Sequence, residues 1–250
     1  MNNSVDKPKK SILKKVFNVL GVIVIAITVI GLVAHNMWKN SGTNEWVLAS
    51  DKDGMKIYRL KTPGNVLYKY KVVFEVEARL NDVVSYIAST STGEDVGAID
   101  VRRIEEVNAN PVFYAYDTYK LDMEAFGMVE VIIINQYSQD PETGIVDANV
   151  FSAHNREPRS EYRRMVHLSN NWTYKPLPNG RVEITSISEM DMGIPYPIAN
   201  AALVNVFDEK FNEMKDLLLK NDKYKNNTVK YVKELDEIQN GIENEEFAQN

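Results

Sequence analysis

Nineteen consecutive residues, Val16 to Ala34 (VFNVLGVIVIAITVIGLVA), carry no charge, and only Asn18 and Thr28 among them are polar. As an α-helix rising about 1.5 Å per residue they span about 28 Å, close to the hydrocarbon thickness of a bilayer. The many β-branched residues do not oppose this, because a helix in lipid must satisfy its own backbone hydrogen bonds. A cleavable signal peptide is the alternative. Its apolar core is usually about 7–15 residues long and is followed by a small-x-small cleavage site. Here the run is longer, and its one candidate exit, Ala34, sits between Leu32 and His35 in place of small neighbours. An uncleaved transmembrane anchor over residues 16–37 is therefore expected, after a basic segment 1–15 and before a polar linker 38–45. Lys7, Lys9, Lys10, Lys14 and Lys15 precede the helix and only Lys39 follows closely. That asymmetry predicts a cytoplasmic N-terminus and a soluble part on the outer side, periplasmic or extracellular.

The remainder is long enough for one domain with a real core, and its composition is that of a globular protein: 44% hydrophobic and 26% charged over the whole chain. Cysteine is absent, which removes disulfides, thiolate metal sites and cysteine nucleophiles together. Residues 16–250 hold 24 basic and 34 acidic side chains, a net charge of −10. A domain that acidic has no means of neutralising phosphates, so nucleic acid is excluded as a partner.

Period-two patterns dominate the soluble part. Val66, Tyr68, Tyr70, Val72, Phe74 and Val76 share one face of a strand whose other face carries Lys69, Lys71, Glu75 and Glu77. Asn81 is a candidate N-cap for a helix over 82–89, and STSTGEDVG after it reads as a loop. Further strands are expected over 99–107, 112–120, 128–138, 145–153, 162–174 and 181–190. Turn signals such as Asn110-Pro111, Asp140-Pro141 and Asn179-Gly180 separate them, which implies an antiparallel meander. From about Ile194, Leu203, Phe207, Phe211, Met214 and Leu218 recur at spacings of three and four, one apolar stripe of a long helix. A tail over 221–250 follows, with Val229, Val232, Leu235, Ile238 and Ile242 on a weak helical face and an acidic end at Glu243, Glu245 and Glu246. It reads as mobile or marginally helical. One sheet plus one long helix makes a two-layer α+β domain over 46–220.

Catalytic signatures are sparse. His154 and His167 do not meet if the hairpin turns at Glu157-Pro158, so no metal site is expected. Nucleotide-binding and nucleophile-elbow motifs are missing from the sequence. Asp117, Asp122, Glu124 and Glu130 cluster around one loop and read as a solvated rim. Arg164 alternates with Tyr162, Val166, Leu168 and Trp172. On an inner face it would need either a carboxylate partner or an anionic ligand group, and the two readings stand equal. Tyr68, Tyr70, Phe74, Tyr114, Tyr116, Phe151, Trp172, Phe207 and Phe211 fall on expected inward faces. As a set they suit either an apolar cavity or a filled interior.

The stretch 161–200 resembles the START domain family, the lipid-binding branch of the helix-grip superfamily. The likeness lies in Arg164, Trp172 eight residues on, Pro176 four beyond that, the hairpin glycine Gly180, and a strand ending in Asp191-Met192-Gly193-Ile194-Pro195. Trp46 and Asp53-Gly54-Met55-Lys56-Ile57-Tyr58 resemble the family's opening. Two departures stand out: no tryptophan between Gly93 and Ile99, and Met128-Val129-Glu130 where an Arg-Asp pair commonly opens a middle strand. The resemblance implies a helix-grip fold, a twisted antiparallel sheet wrapped around a long C-terminal helix, that binds a lipid or other hydrophobic molecule without cofactor or metal. The ligand-binding residues it implies are Tyr70, Phe74, Tyr114, Tyr116, Phe151, Arg164, Val166, Trp172, Leu203, Phe207 and Phe211, with Met192, Ile194 and Pro195 in a gate. The alternatives are a helix-grip enzyme of cyclase or hydrolase type acting on a hydrophobic molecule, and an interaction module with a closed interior.

Overall fold

The structure, a computed structural model, describes residues 9–95, 97–109 and 111–240. Lys7, Ile242, Glu243, Glu245 and Glu246 lie outside them. The apolar run forms helix α1 (Lys9–Asn40), whose segment Lys14–Asn40 is long and apolar enough to cross a membrane. An anchor and a signal sequence share that property. The domain covers none of its most apolar stretch.

After α1, a hairpin joins β1 (Trp46–Lys52) and β2 (Met55–Leu60), with Asp53 and Gly54 both at positive φ (51° and 74°) in the turn. That is the left-handed geometry a two-residue hairpin needs. Strand β3 (Lys69–Val76) alternates strictly, with Tyr70, Val72, Phe74 and Val76 buried. Two short helices follow, α2 (Leu80–Ala88) and α3 (Thr90–Asp95). The segment read as a loop is thus partly helical. Strands β4 (Ile99–Ala109), β5 (Val112–Asp122), β6 (Met128–Gln139), β7 (Val146–Ser152), β8 (Arg163–Arg164), β9 (His167–Pro176) and β10 (Val182–Asp191) complete the sheet, and α4 (Tyr196–Lys220) closes the chain's main body.

The strand order is β1-β2-β3-β10-β9-β7-β6-β5-β4. The meander runs from β4 to β10, and β10 returns to pair with β3. All pairings are antiparallel except that of β8 with β6. The expected single strand over 162–174 is therefore two, broken at Met165 and Val166. Ala199, Leu203, Phe207, Phe211, Met214 and Leu218 of α4 are buried. Phe207 meets Tyr70 with ring centroids 5.2 Å apart, and Phe211 meets Phe74 at 5.5 Å. Pro195 is the N-cap and Pro197 lies in the first turn, where a missing N–H costs least.

Beyond α4 the described part of the tail packs on the domain, contrary to the sequence expectation. Tyr224, Val232 and Ile238 are buried, residues 235–240 are helical, and Tyr231 stacks on Phe113 at 4.3 Å. Glu234 accepts hydrogen bonds from the backbone N–H of Leu80 (3.2 Å) and Asn81 (2.9 Å). The first turn of α2 is thus capped by a distant carboxylate, because the helix begins one residue before the expected Asn81 cap. The Asn81 side chain donates to Glu234 and accepts from the N–H of Val229 instead.

Candidate functional site

Side chains on the inner sheet face line up across strands by register. One row reads Tyr70, Ser188, Asn170, Val150, Asn135 and Ala115; the next includes Ile133, Asp117 and Arg103. Over these rows, beneath α2 and α3, lies a cavity of about 320 Å³. Ile87, Val101, Leu121, Ile133, Val150 and Trp172 supply much of its apolar wall. The cavity lies where two hydrophobic clusters adjoin. One is built on α4 and β3, the other on Val129, Val131, Ile133, Val150 and Met165, and Trp172 and Met192 touch both.

Asp117, Asn135, Asn170 and the phenol of Tyr119 reach the cavity from the sheet. The Arg103 guanidinium donates to Asp117 through Nε (2.5 Å) and to the Ala88 carbonyl that ends α2 (2.8 Å). Asn135 Nδ2 donates to Asp117 Oδ2 at 2.7 Å. Burial pushes the Asp117 carboxyl above its ordinary value, against the pull of Arg103 and Asn135. Burial, then the nearby Asp117 charge, raise the Tyr119 phenol to about 12. On the other side, Asn170 Oδ1 accepts from the hydroxyls of Ser186 and Ser188, both at 3.0 Å. Those two bonds orient the amide and leave its Nδ2 donor unengaged among the described residues. The site is an apolar chamber with an internally neutralised ion pair and one oriented amide. Among the described residues no cluster of ligating side chains is arranged for a metal.

Of the residues proposed from sequence, Trp172 lines this cavity. Tyr70, Phe74, Leu203, Phe207 and Phe211 pack against one another or their neighbours beneath α4. Tyr114 and Tyr116 lie on the outer face, with Arg156 4.6 Å over the Tyr116 ring. Their neighbours Phe113, Ala115 and Asp117 point inward instead. Phe151 is 40% exposed and Val150 takes its inward place. Val166 is 59% exposed, since the break after β8 ends the alternation assumed for it. Met192 bridges the two clusters, Ile194 packs beside the larger one, and Pro195 is exposed.

Arg164 resolves by counting donors. A guanidinium has five N–H groups. Nε and Nη2 reach Glu130 (2.8 and 2.5 Å), Nη1 reaches the carbonyls of His154 and Glu157, and Nη2 also reaches that of Pro158. Every donor is engaged within the protein, so Arg164 clamps the β7–β8 connection; with Val166 and Met192 it also borders a second pocket of about 310 Å³. Asp117, by contrast, is no rim residue. It lies inside because it keeps period-two company with Phe113 and Ala115, a signal present in the sequence that the nearby acidic loop obscured.

No family model matches the sequence, and no curated protein matches it. Solved structures do. A STAR-related lipid transfer protein from Xanthomonas axonopodis aligns at TM-score 0.61 and 17% identity, covering 70% of this chain and 99% of that one. Human STARD10 aligns at TM-score 0.61 and 13% identity, covering 74% and 78%. Human StAR-related lipid transfer protein 5 aligns at 0.57 and 12%, covering 79% and 98%. With its large antiparallel sheet and closing C-terminal helix, the chain has the START-like, helix-grip α+β fold.

Proposed function

We propose that this protein holds a lipid or similar apolar molecule in the cavity beneath α2 and α3, beside a membrane in which α1 is anchored. The observation that carries the reading is the chamber itself: apolar walls, a neutralised Arg103–Asp117 pair and one oriented amide at Asn170. Its volume lies at the low end for small-molecule sites, and the START-like fold supports the same class of ligand. Each methylene moved from water into such a wall contributes about 0.8 kcal/mol. An acyl or polyisoprenoid chain is therefore retained without a charged anchor, and no residue is assigned to chemistry on it. On its α3 side, Gly93 sits so close to β4 that a Cβ there would be 3.1 Å from the Val101 methyls. The lysine asymmetry around α1 supports a cytoplasmic N-terminus and a domain on the outer side.

The test is lipid extraction and native mass spectrometry of the full chain purified in mild detergent. Retention of an apolar species beyond the detergent is the expected result. A chain that emerges empty and takes up no sterol, fatty acid, phospholipid or isoprenoid on incubation would overturn the reading. Turnover of a bound molecule would instead favour an enzyme of the same fold.

A further inference from the structure

The segment expected to be a linker is built into the domain. Helix α1 continues to Asn40, and its last turn meets the β2–β3 connection and the first residue of α4. The Trp38 indole donates to the Val66 carbonyl at 2.8 Å, stacks on Tyr196 with planes 7° apart, and meets Tyr68 edge-on at 5.6 Å. His35, one turn earlier, lies 5.6 Å from Tyr196. Beneath Trp38 the Lys61 ammonium, 5.1 Å from the indole centroid, shares its three N–H donors among four carbonyls, those of Lys39 and Ser41 at the helix end and of Thr62 and Asn65 in the β2–β3 loop. Lys61 is 8% exposed, and burial lowers its ordinary affinity for a proton. The next residue to turn the chain, Gly42, has φ +112°, and a Cβ there would lie 2.2 Å from the Lys61 carbonyl oxygen. A cation bonded to carbonyls of both segments, an indole wedged between two tyrosines and a glycine-only corner form a joint with no slack.

We infer that α1 and the domain are one rigid unit, and that the N-terminal end of α4, Tyr196 to Ile198, rests on the headgroup layer of the bilayer that α1 spans. This rests on the anchor reading above. The apolar run ends at Ala34, and Trp38 lies four residues on, about 6 Å along the axis. The polar layer outside the hydrocarbon is about 5–8 Å deep on each side. Trp38, and Tyr196 stacked against it, therefore sit at the depth where Trp and Tyr accumulate in membrane proteins. Ile198, two residues beyond Tyr196, is 50% exposed, an apolar side chain with nothing in the fold to cover it. Lys39 and Arg59, the latter 5.1 Å over Tyr68, are exposed beside this cluster in an otherwise acidic domain. Their charge favours anionic headgroups. The unit thus has one fixed face toward its own membrane.

Because the chain contains no cysteine, single-cysteine labelling tests this directly. Ile198→Cys, and as a control Glu142→Cys on the exposed β6–β7 turn, are labelled with bimane. Each full-length chain is reconstituted into phosphatidylcholine–phosphatidylglycerol vesicles carrying acyl-chain nitroxides. The expected result is quenching at position 198 several-fold above that at 142, falling to the control level in Trp38→Ala and Gly42→Ala backgrounds that still resist carbonate extraction. Circular dichroism checks that each variant is folded, and the comparison of 198 with 142 decides the matter alone if neither is. Inserted protein with equal quenching at the two positions overturns the rigid face and leaves the anchor standing. Strong quenching that survives both substitutions in folded protein refutes the joint as its cause. Chain removed from vesicles by carbonate overturns the anchor reading and this inference together.

Discussion

Arg103 and Asp117 stand directly opposite each other in the β4–β5 ladder, and their side chains join at 2.5 Å on the sheet's inner face. The pair is partly screened, since the Arg103 side chain keeps 26% of its surface exposed and Asp117 11%. Removing one partner strands the other charge, which costs about 3–5 kcal/mol in buried pairs. Arg103→Met should therefore destabilise the protein by about 3 kcal/mol, the low end of that range because of the exposure. Combining it with Asp117→Leu should recover most of the loss. Chemical unfolding of the detergent-solubilised chain measures both, and strictly additive losses would show that the pair is not coupled.

The same carboxyl sets a pH dependence. Burial raises its folded-state value above the ordinary 3.8. Between those two values the folded protein holds a proton that the unfolded chain has released, so stability falls as pH rises through that window and levels off above it. Asp117→Asn removes this slope. Melting temperatures of the two proteins compared from about pH 4 upward should converge toward, or cross in favour of, the variant. A wild-type advantage growing with pH would mean that Arg103, not burial, controls the group.

Filling the cavity should separate binding from folding. Val150 is 7% exposed and lies on the chamber wall. Val150→Phe should abolish co-purification of an apolar molecule while changing stability by no more than about 1–3 kcal/mol. Native mass spectrometry with undiminished ligand in this variant would place the ligand elsewhere.

Arg164 gives the reverse pattern. Arg164→Leu leaves Glu130, whose side chain is 13% exposed, without its partner and should cost about 3–5 kcal/mol with ligand content per folded molecule unchanged. Arg164→Lys should not rescue it, because an ammonium cannot reproduce the planar fork. Loss of ligand from folded Arg164→Lys protein would restore a binding role.

The C-terminal segment is a structural strap. Glu234→Ala should cost about 0.5–2 kcal/mol, the range for losing a helix N-cap, and should speed amide exchange at Leu80 and Asn81. Tyr231→Ala, which vacates the ring stacked on Phe113, should cost about 3 kcal/mol or more, by analogy with other large aromatic truncations. Unchanged exchange in α2 would refute the cap.

How far these features were legible varies with the range of the force involved. The apolar run in α1, the alternation of Tyr70, Val72 and Phe74 in β3, and the stripe of Leu203, Phe207, Phe211, Met214 and Leu218 in α4 are local periodicities. Backbone geometry alone converts them into elements with a buried side. In β5 both faces carry large side chains: Phe113 and Tyr119 on one, Tyr114 and Tyr116 on the other. Alternation there marks a strand without saying which face is inner. The register of β5 with β6 decides that, and with it the inward position of Asp117.

By itself, then, the sequence determined a membrane-length helix, a meander of strands and a long amphipathic helix, because each depends on neighbours a few residues apart. Tertiary structure alone decided that the linker is a joint, that Arg164 is saturated by Glu130 and three carbonyls, and that the tail caps α2. It also placed a cavity under α2 and α3, and packed Tyr70, Phe74, Phe207 and Phe211 together beneath α4. Each of these depends on groups far apart in the chain, whose contact free energy exists only after the sheet has closed and desolvated them.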